Sequence, residues 1–285
     1  MSALRVQPYE MPTEAELPAN RVTWRPAAAR AVLLVHDMQR YFVAPFGDRP
    51  PGTALVPTIA RLRERCHRLG IPVVYTRQPG GQPPSQRGLL ADFWGPGLGA
   101  DPAPQSIVDE LAPAAGDVVL TKTRYSAFRG TDLEQTLRGW GRDQLLVTGV
   151  YGHIGCLATA CDAFMRDIQP FLVADAIGDF GVDEHRTALR YAATRCAAVT
   201  AAAAVLRDLP ATDPRADVAE LLGVPPDSVD GDADLTDQGL DSVRVMELVT
   251  RWRVSGVDVS FVDLAERPTL TAWTALLAAR AAEVS

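Results

Sequence analysis

The chain reads as an α/β protein, a mostly parallel sheet with helices on both faces, followed by a small all-α domain. Three observations predict this. Short β-branched runs alternate with longer helical patterns in the N-terminal part. Those runs are continuously apolar, as strands covered on both faces should be. Acidic charge is concentrated in the C-terminal part.

The predicted strands are Ala31–His36, Pro72–Thr76, Val118–Thr121, Gln144–Val150 and Phe171–Asp175. Helical spacing near 55–69, 131–140, 153–167 and 183–195 alternates with these runs, which implies βαβ units. Residues 208–285 hold 15 Asp or Glu against 6 Arg, whereas the whole chain has a net charge of −7. That asymmetry predicts two domains, 1–207 and 215–285, joined by a short linker at 208–214 where two prolines follow an alanine-rich run. The second domain reads as helices at 215–222, 242–254, 261–265 and 269–282, with no strand pair.

With 285 residues, 47% of them apolar, the chain can bury a substantial core. The N-terminus mixes prolines with carboxylates, unlike a signal peptide, and no segment approaches the roughly 18 apolar residues of a membrane span. A cytoplasmic protein with no membrane partner is expected. The acidic balance disfavours nucleic acid, whose phosphates need clustered cations. The four cysteines, Cys66, Cys156, Cys161 and Cys196, show no CxxC pairing and no histidines at ligand spacing, so reduced thiols and no metal site are expected.

Open α/β sheets bind ligands beyond the carboxyl ends of their strands. The residues there are Asp37, Gln78, Lys122 and the turn Tyr151–Gly155. Lys122 is the single lysine among 28 basic residues, and arginine cannot copy a compact, rotatable ammonium. The histidines, His36, His67, His153 and His185, are read as poor candidates for an active-site base. Strand alternation would point His36 away from Asp37.

The runs His36-Asp37-Met38-Gln39-Arg40-Tyr41-Phe42, Lys122-Thr123-Arg124-Tyr125-Ser126-Ala127-Phe128 and Gly149-Val150-Tyr151-Gly152-His153-Ile154-Gly155-Cys156 resemble the isochorismatase family. Gly239-Leu240-Asp241-Ser242, opening a helix, resembles the attachment motif of a phosphopantetheine carrier domain. In this order the motifs resemble the bifunctional isochorismatase and aryl carrier proteins of catecholate siderophore synthesis, over essentially the whole chain. The resemblance implies a Rossmann-like fold and hydrolysis of the enolpyruvyl ether of isochorismate to 2,3-dihydro-2,3-dihydroxybenzoate and pyruvate. It also implies an aryl thioester carried on phosphopantetheinylated Ser242. Implied partners are a phosphopantetheinyl transferase, an aryl-acid adenylating enzyme and a downstream nonribosomal peptide synthetase, with homodimerisation through the hydrolase domain.

Cysteine hydrolases of the wider superfamily carry their nucleophile at the position matching Gly155, where this chain has no side chain. Cys156 is one residue on, turned by about 100° on a helix, and reads as core packing. An enol ether is hydrolysed through protonation of its terminal carbon, so the site needs a protonated acid. Asp37 is the candidate, its pKa expected to be raised by apolar surroundings and lowered by Lys122. The resemblance further points to Gln78, Arg87 and Tyr151 as substrate-holding groups. The amides near Gly155 are expected to serve a substrate oxygen, with the bare residue 155 opening the backbone to it. Phe42, Trp94 and Tyr125 are expected to form an apolar wall.

In the second domain Ser242 stands at a helix start, where an N-cap role is the ordinary alternative. Val245, Leu248, Val249 and Trp252 form the inward stripe, while Val243 and Met246 are expected on the partner-facing side. Two other functions stay open: a carrier or scaffold whose hydrolase domain is inactive, and a cysteine-dependent amidohydrolase using Cys156.

Overall fold

The computed structural model describes residues 4–209, 212–254 and 257–283. They form two compact units, one ending at Asp208 and the next beginning at Leu209. In the first, six strands form one parallel sheet: β1 (Ala31–His36), β2 (Val73–Arg77), β3 (Val118–Thr121), β4 (Gln144–Val150), β5 (Gln169–Gly178) and β6 (Ala198–Thr200). Their order is β3-β2-β1-β4-β5-β6. The chain winds outward from β1 to β3, then returns to the other side of β1. The switch point between β1 and β4 therefore opens a crevice at their carboxyl ends.

Every residue of β1 and β4 is buried, which explains the apolar stretches Ala31-Val32-Leu33-Leu34-Val35 and Leu145-Leu146-Val147 within them. β3 at the edge alternates half-buried and exposed residues. Leu145, Val147, Ala160, Leu172 and Leu189 belong to one continuous core beneath the sheet.

Four departures from the sequence reading matter for the site. The strand read as Phe171–Asp175 runs from Gln169 to Gly178, because β5 detours: Leu172 pairs with Val147 but Ile177 pairs with Gly149. The three-residue β6 was not foreseen. The helix expected over 153–167 is a single wide turn, Gly152–Cys156, followed by the helix Leu157–Phe164. The alanine-rich run enters the helix Ala202–Asp208, and residues 210 and 211 of the expected linker lie outside the described residues.

The second unit holds helices Pro214–Leu222, Ser242–Val254, Phe261–Ala265 and Leu270–Glu283. Asp213 caps the first by accepting from the Ala216 amide at 3.1 Å. Trp252 and Trp273 meet edge to face at 5.9 Å in its core, and the Trp252 indole donates to Asp217 at 2.5 Å. Leu248, Val249 and Trp252 point inward and Val245 is partly buried. Among the described residues no helix is long and apolar enough to cross a membrane.

Candidate active site

The strand ends converge on a cavity of about 460 Å³ lined by Asp37, Phe42, Gln78, Arg87, Trp94, Lys122, Tyr125, Tyr151 and Gly155. All nine positions singled out from the sequence in the first domain therefore border one space. Asp37 follows β1 with a left-handed backbone (φ +50°), a conformation Asp tolerates better than most residues. Its carboxylate accepts from Thr76 Oγ1 at 2.6 Å and Gln78 Nε2 at 3.0 Å, and meets Lys122 Nζ at 2.7 Å.

Burial alone would push the Asp37 carboxyl up. The Lys122 ammonium, the His36 ring and the hydrogen bonds from Gln78 and Lys122 outweigh it and hold the group at about 2. Asp37 is thus an anion paired with a cation: of the two opposed effects expected, that of Lys122 prevails over burial. Lys122 is fully buried and also donates to the Arg124 carbonyl at 3.0 Å. A guanidinium is too wide to make both contacts from one point.

Gln78 bridges the pair to Arg87, whose Nη1 lies 3.5 Å from Gln78 Oε1 and whose Nε donates to the Gly95 carbonyl at 3.1 Å. Arg87 is buried, and among the described residues it forms no ion pair with a carboxylate. A buried guanidinium at the cavity suits a ligand carboxylate. Trp94 donates to the Tyr125 hydroxyl at 2.7 Å, so the two rim aromatics act as one wall. Tyr151 donates its hydroxyl to the Phe42 carbonyl at 2.8 Å and packs at 4.3 Å against Phe180. Burial raises its pKa, so it stays a phenol.

Two expectations about the glycine turn are corrected. The room at Gly155 is taken by His36: a Cβ there would sit 2.2 Å from its Cε1. His36 lines the cavity, 3.8 Å from Asp37 Oδ2, rather than pointing to the opposite face. The amides of the turn are also largely engaged. Those of Ile154 and Cys156 donate to the Tyr151 carbonyl, and that of His153 donates to Asp179 at 2.6 Å. Cys156 lies in the hydrophobic core rather than on the cavity, and burial pushes its thiol well above the usual range. It offers no thiolate to a substrate.

Asp179, Phe180 and Gln39 escaped the sequence reading. Asp179 is fully buried and grips both the amide and the ring Nδ1 of His153 at 2.6 Å, which fixes the turn. Gly152 gives it room, since a Cβ there would stand 2.8 Å from Asp179 Oδ2. Gln39, also fully buried, accepts from the Gln78 amide and donates to the Gln78 and Gln105 carbonyls.

In the second unit Ser242 is exposed at the first residue of its helix. The capping contact belongs to Asp241, whose carboxylate accepts from the Arg244 amide at 2.9 Å, and the Ser242 hydroxyl forms no hydrogen bond among the described residues. A free hydroxyl at a helix N-terminus fits a phosphodiester. Val243 and Met246 are exposed beside it, at 77% and 50%.

Fold and site together fit a hydrolase of the parallel α/β class, followed by a helical carrier bundle. The model of the isochorismatase domain matches residues 31–204, and that of the phosphopantetheine attachment site matches residues 215–277. The chain belongs to the isochorismatase family and carries a phosphopantetheine-binding domain behind the enzyme. The isochorismatase of Bacillus subtilis (strain 168) is 48% identical over 305 residues, covering 100% of this chain and 98% of that one. Enterobactin synthase component B of Escherichia coli (strain K12) is 47% identical over 281 residues, 97% of this chain and 98% of that one. An isochorismatase family protein from Burkholderia thailandensis superposes with a TM-score of 0.57 at 26% identity, covering 65% of this chain and 97% of that one.

Proposed function

We propose that the first unit hydrolyses the enolpyruvyl ether of isochorismate, with Asp37 as the proton donor, and that the second carries an aryl acid on phosphopantetheinylated Ser242. The observation that carries the reading is the buried Asp37–Lys122 pair at 2.7 Å, next to an Arg87 that, among the described residues, forms no ion pair, in a cavity that no described thiol lines. The substrate is a dicarboxylate. One carboxylate neutralises Arg87, and the other draws Lys122 away from Asp37. A neighbouring anion and the loss of its cation both raise the Asp37 pKa, so the acid takes up a proton as substrate binds.

Asp37 then gives its proton to the terminal methylene. The enol ether electron pair forms the new C–H bond and leaves an oxocarbenium ion. Water adds to that carbon and returns a proton to Asp37. The hemiketal collapses to pyruvate and the ring alcohol. The wall of Phe42, Trp94, Tyr125 and Tyr151 keeps bulk water from the cation until the ether is aligned.

Phosphopantetheine on Ser242 supplies, when bound, a thiol on a long arm that holds the aryl group as a thioester. The exposed hydroxyl and the Val243–Met246 surface support access by a phosphopantetheinyl transferase, an adenylating enzyme and a nonribosomal synthetase. The relative named as an enterobactin synthase component supports such an assembly role. Homodimerisation through the hydrolase unit and a cytoplasmic location belong to the same reading.

Two measurements on the full chain test it. Incubation with isochorismate should release pyruvate, and absence of release removes the hydrolase assignment. Coenzyme A with a phosphopantetheinyl transferase should add one phosphopantetheine mass to the protein and none to Ser242→Ala. A mass gain in that variant would move the attachment elsewhere.

A further inference from the structure

We propose that His36 is a positioning residue whose imidazole takes the space of a side chain at position 155, and that the bareness of Gly155 is what seats it. This rests on the reading of Asp37 as the acid and extends it to the group that aims it. A Cβ on Gly155 would lie 2.2 Å from Cε1, 2.9 Å from Nε2 and 3.1 Å from Nδ1 of His36, so the ring lies directly against the bare Cα. No real Cβ tolerates the first of those distances.

The ring joins three segments of the site. Nδ1 lies 2.8 Å from the Val150 carbonyl at the end of β4, and Nε2 lies 3.2 Å from the Tyr125 carbonyl in the loop after Lys122. A carbonyl only accepts and burial lowers the ring's pKa, so the neutral imidazole gives its single N–H to the nearer carbonyl, Val150, and packs against that of Tyr125. The same ring stands 3.8 Å from Asp37 Oδ2, the oxygen that also meets Lys122 and Gln78, and so crowds the carboxylate at its engaged end. His36 therefore ties the end of β1 to two cavity walls and limits where the acid can point. A methyl group on residue 155 would drive the ring out of this seat, toward Asp37 or the Tyr125 loop.

The test is a double-mutant cycle on the full chain, read as pyruvate release from isochorismate. Gly155→Ala should lower kcat by about 10²-fold with KM nearly unchanged, because a small misplacement of a reacting group has that effect. His36→Ala should lower kcat about tenfold. The double variant should be no worse than His36→Ala alone, since the methyl group then enters an empty space. His36→Asn, whose amide nitrogen can stand near the place of Nδ1 and donate to Val150, should recover part of the His36→Ala loss.

Losses that multiply in the double variant would overturn the proposal, as would a His36→Ala enzyme with unchanged kcat. If Gly155→Ala is insoluble while the double variant folds, the seat is supported directly. If both are insoluble, His36→Asn against His36→Ala decides: equal activity overturns the proposal. Should the unmodified protein release no pyruvate, the Asp37 reading fails on its own, and the same cycle read as melting temperature still tests the seat. There the double variant must melt above Gly155→Ala.

Discussion

The two units place their reactive oxygens in opposite surroundings. The Asp37 carboxylate is 3% exposed and held by Thr76, Gln78 and Lys122, whereas the Ser242 hydroxyl is exposed and unbonded among the described residues. Proton transfer to carbon requires a fixed, dry geometry, because a sluggish base reacts only when the acid is aimed and undistracted by water. Carrying a group between enzymes requires reach, and a hydroxyl locked in a network would be out of a partner's grasp. The same contrast appears in the charge: the enzyme unit buries Asp37 against Lys122, whereas Arg251 of the carrier meets Asp217, Glu220 and Glu247 at partly or well exposed positions.

The strongest attempt to break this contrast is Asp37→Asn. It nearly preserves shape but removes the proton, so turnover should fall about 10²–10⁴-fold while substrate still binds. Near-normal pyruvate release would mean that the buried acid is only structural. Lys122→Arg sharpens the same point. Its guanidinium cannot contact Asp37 and the Arg124 carbonyl together, and turnover should fall at least tenfold. Unchanged kinetics and an unchanged pH profile would make the lone lysine incidental.

Acid stability separates the units in a third way. Asp37 is held at about 2, below its ordinary value near 3.8. Its contribution to stability is complete above that ordinary value and is lost as pH falls through about 2, on the order of 2 kcal/mol. Denaturant unfolding of the enzyme unit between pH 2 and 4 should show this loss, and Asp37→Asn should flatten it. An equally steep curve in the variant would assign the loss to other carboxylates. The smallest effect belongs to the carrier surface. Met246→Asp should leave pyruvate release alone yet weaken productive contact with a partner synthetase, since it places a charge in an apolar patch. Loss of both activities would indicate unfolding.

The strand-end rule located Asp37, Gln78, Lys122 and Tyr151 because continuous apolar runs mark β1, β2, β3 and β4 clearly. It stopped short at β5. Asp175 looked like a terminus, but the strand detours there and continues to Gly178, so Asp179 and Phe180 were never at an apparent strand end. His36 was misassigned for a related reason. Alternation holds within regular strand backbone, and the left-handed Asp37 breaks it at the next residue. Arg87 sits on a four-residue helix with no periodic signal, so it was reachable only through the family resemblance. The turn at Gly152–Cys156 hides its purpose in absences, since a glycine does not say which side chain fills the room beside it.

The solitary lysine has an analytical use. An endoprotease specific for lysine has one bond to cut in the whole sequence, after Lys122, and that side chain is 1% exposed inside the cavity. Cleavage into two fragments therefore clocks the opening of this one loop, without labels or substitutions. A bound dicarboxylate should slow that clock in proportion to occupancy, so a gel can report ligand binding on the unmodified protein.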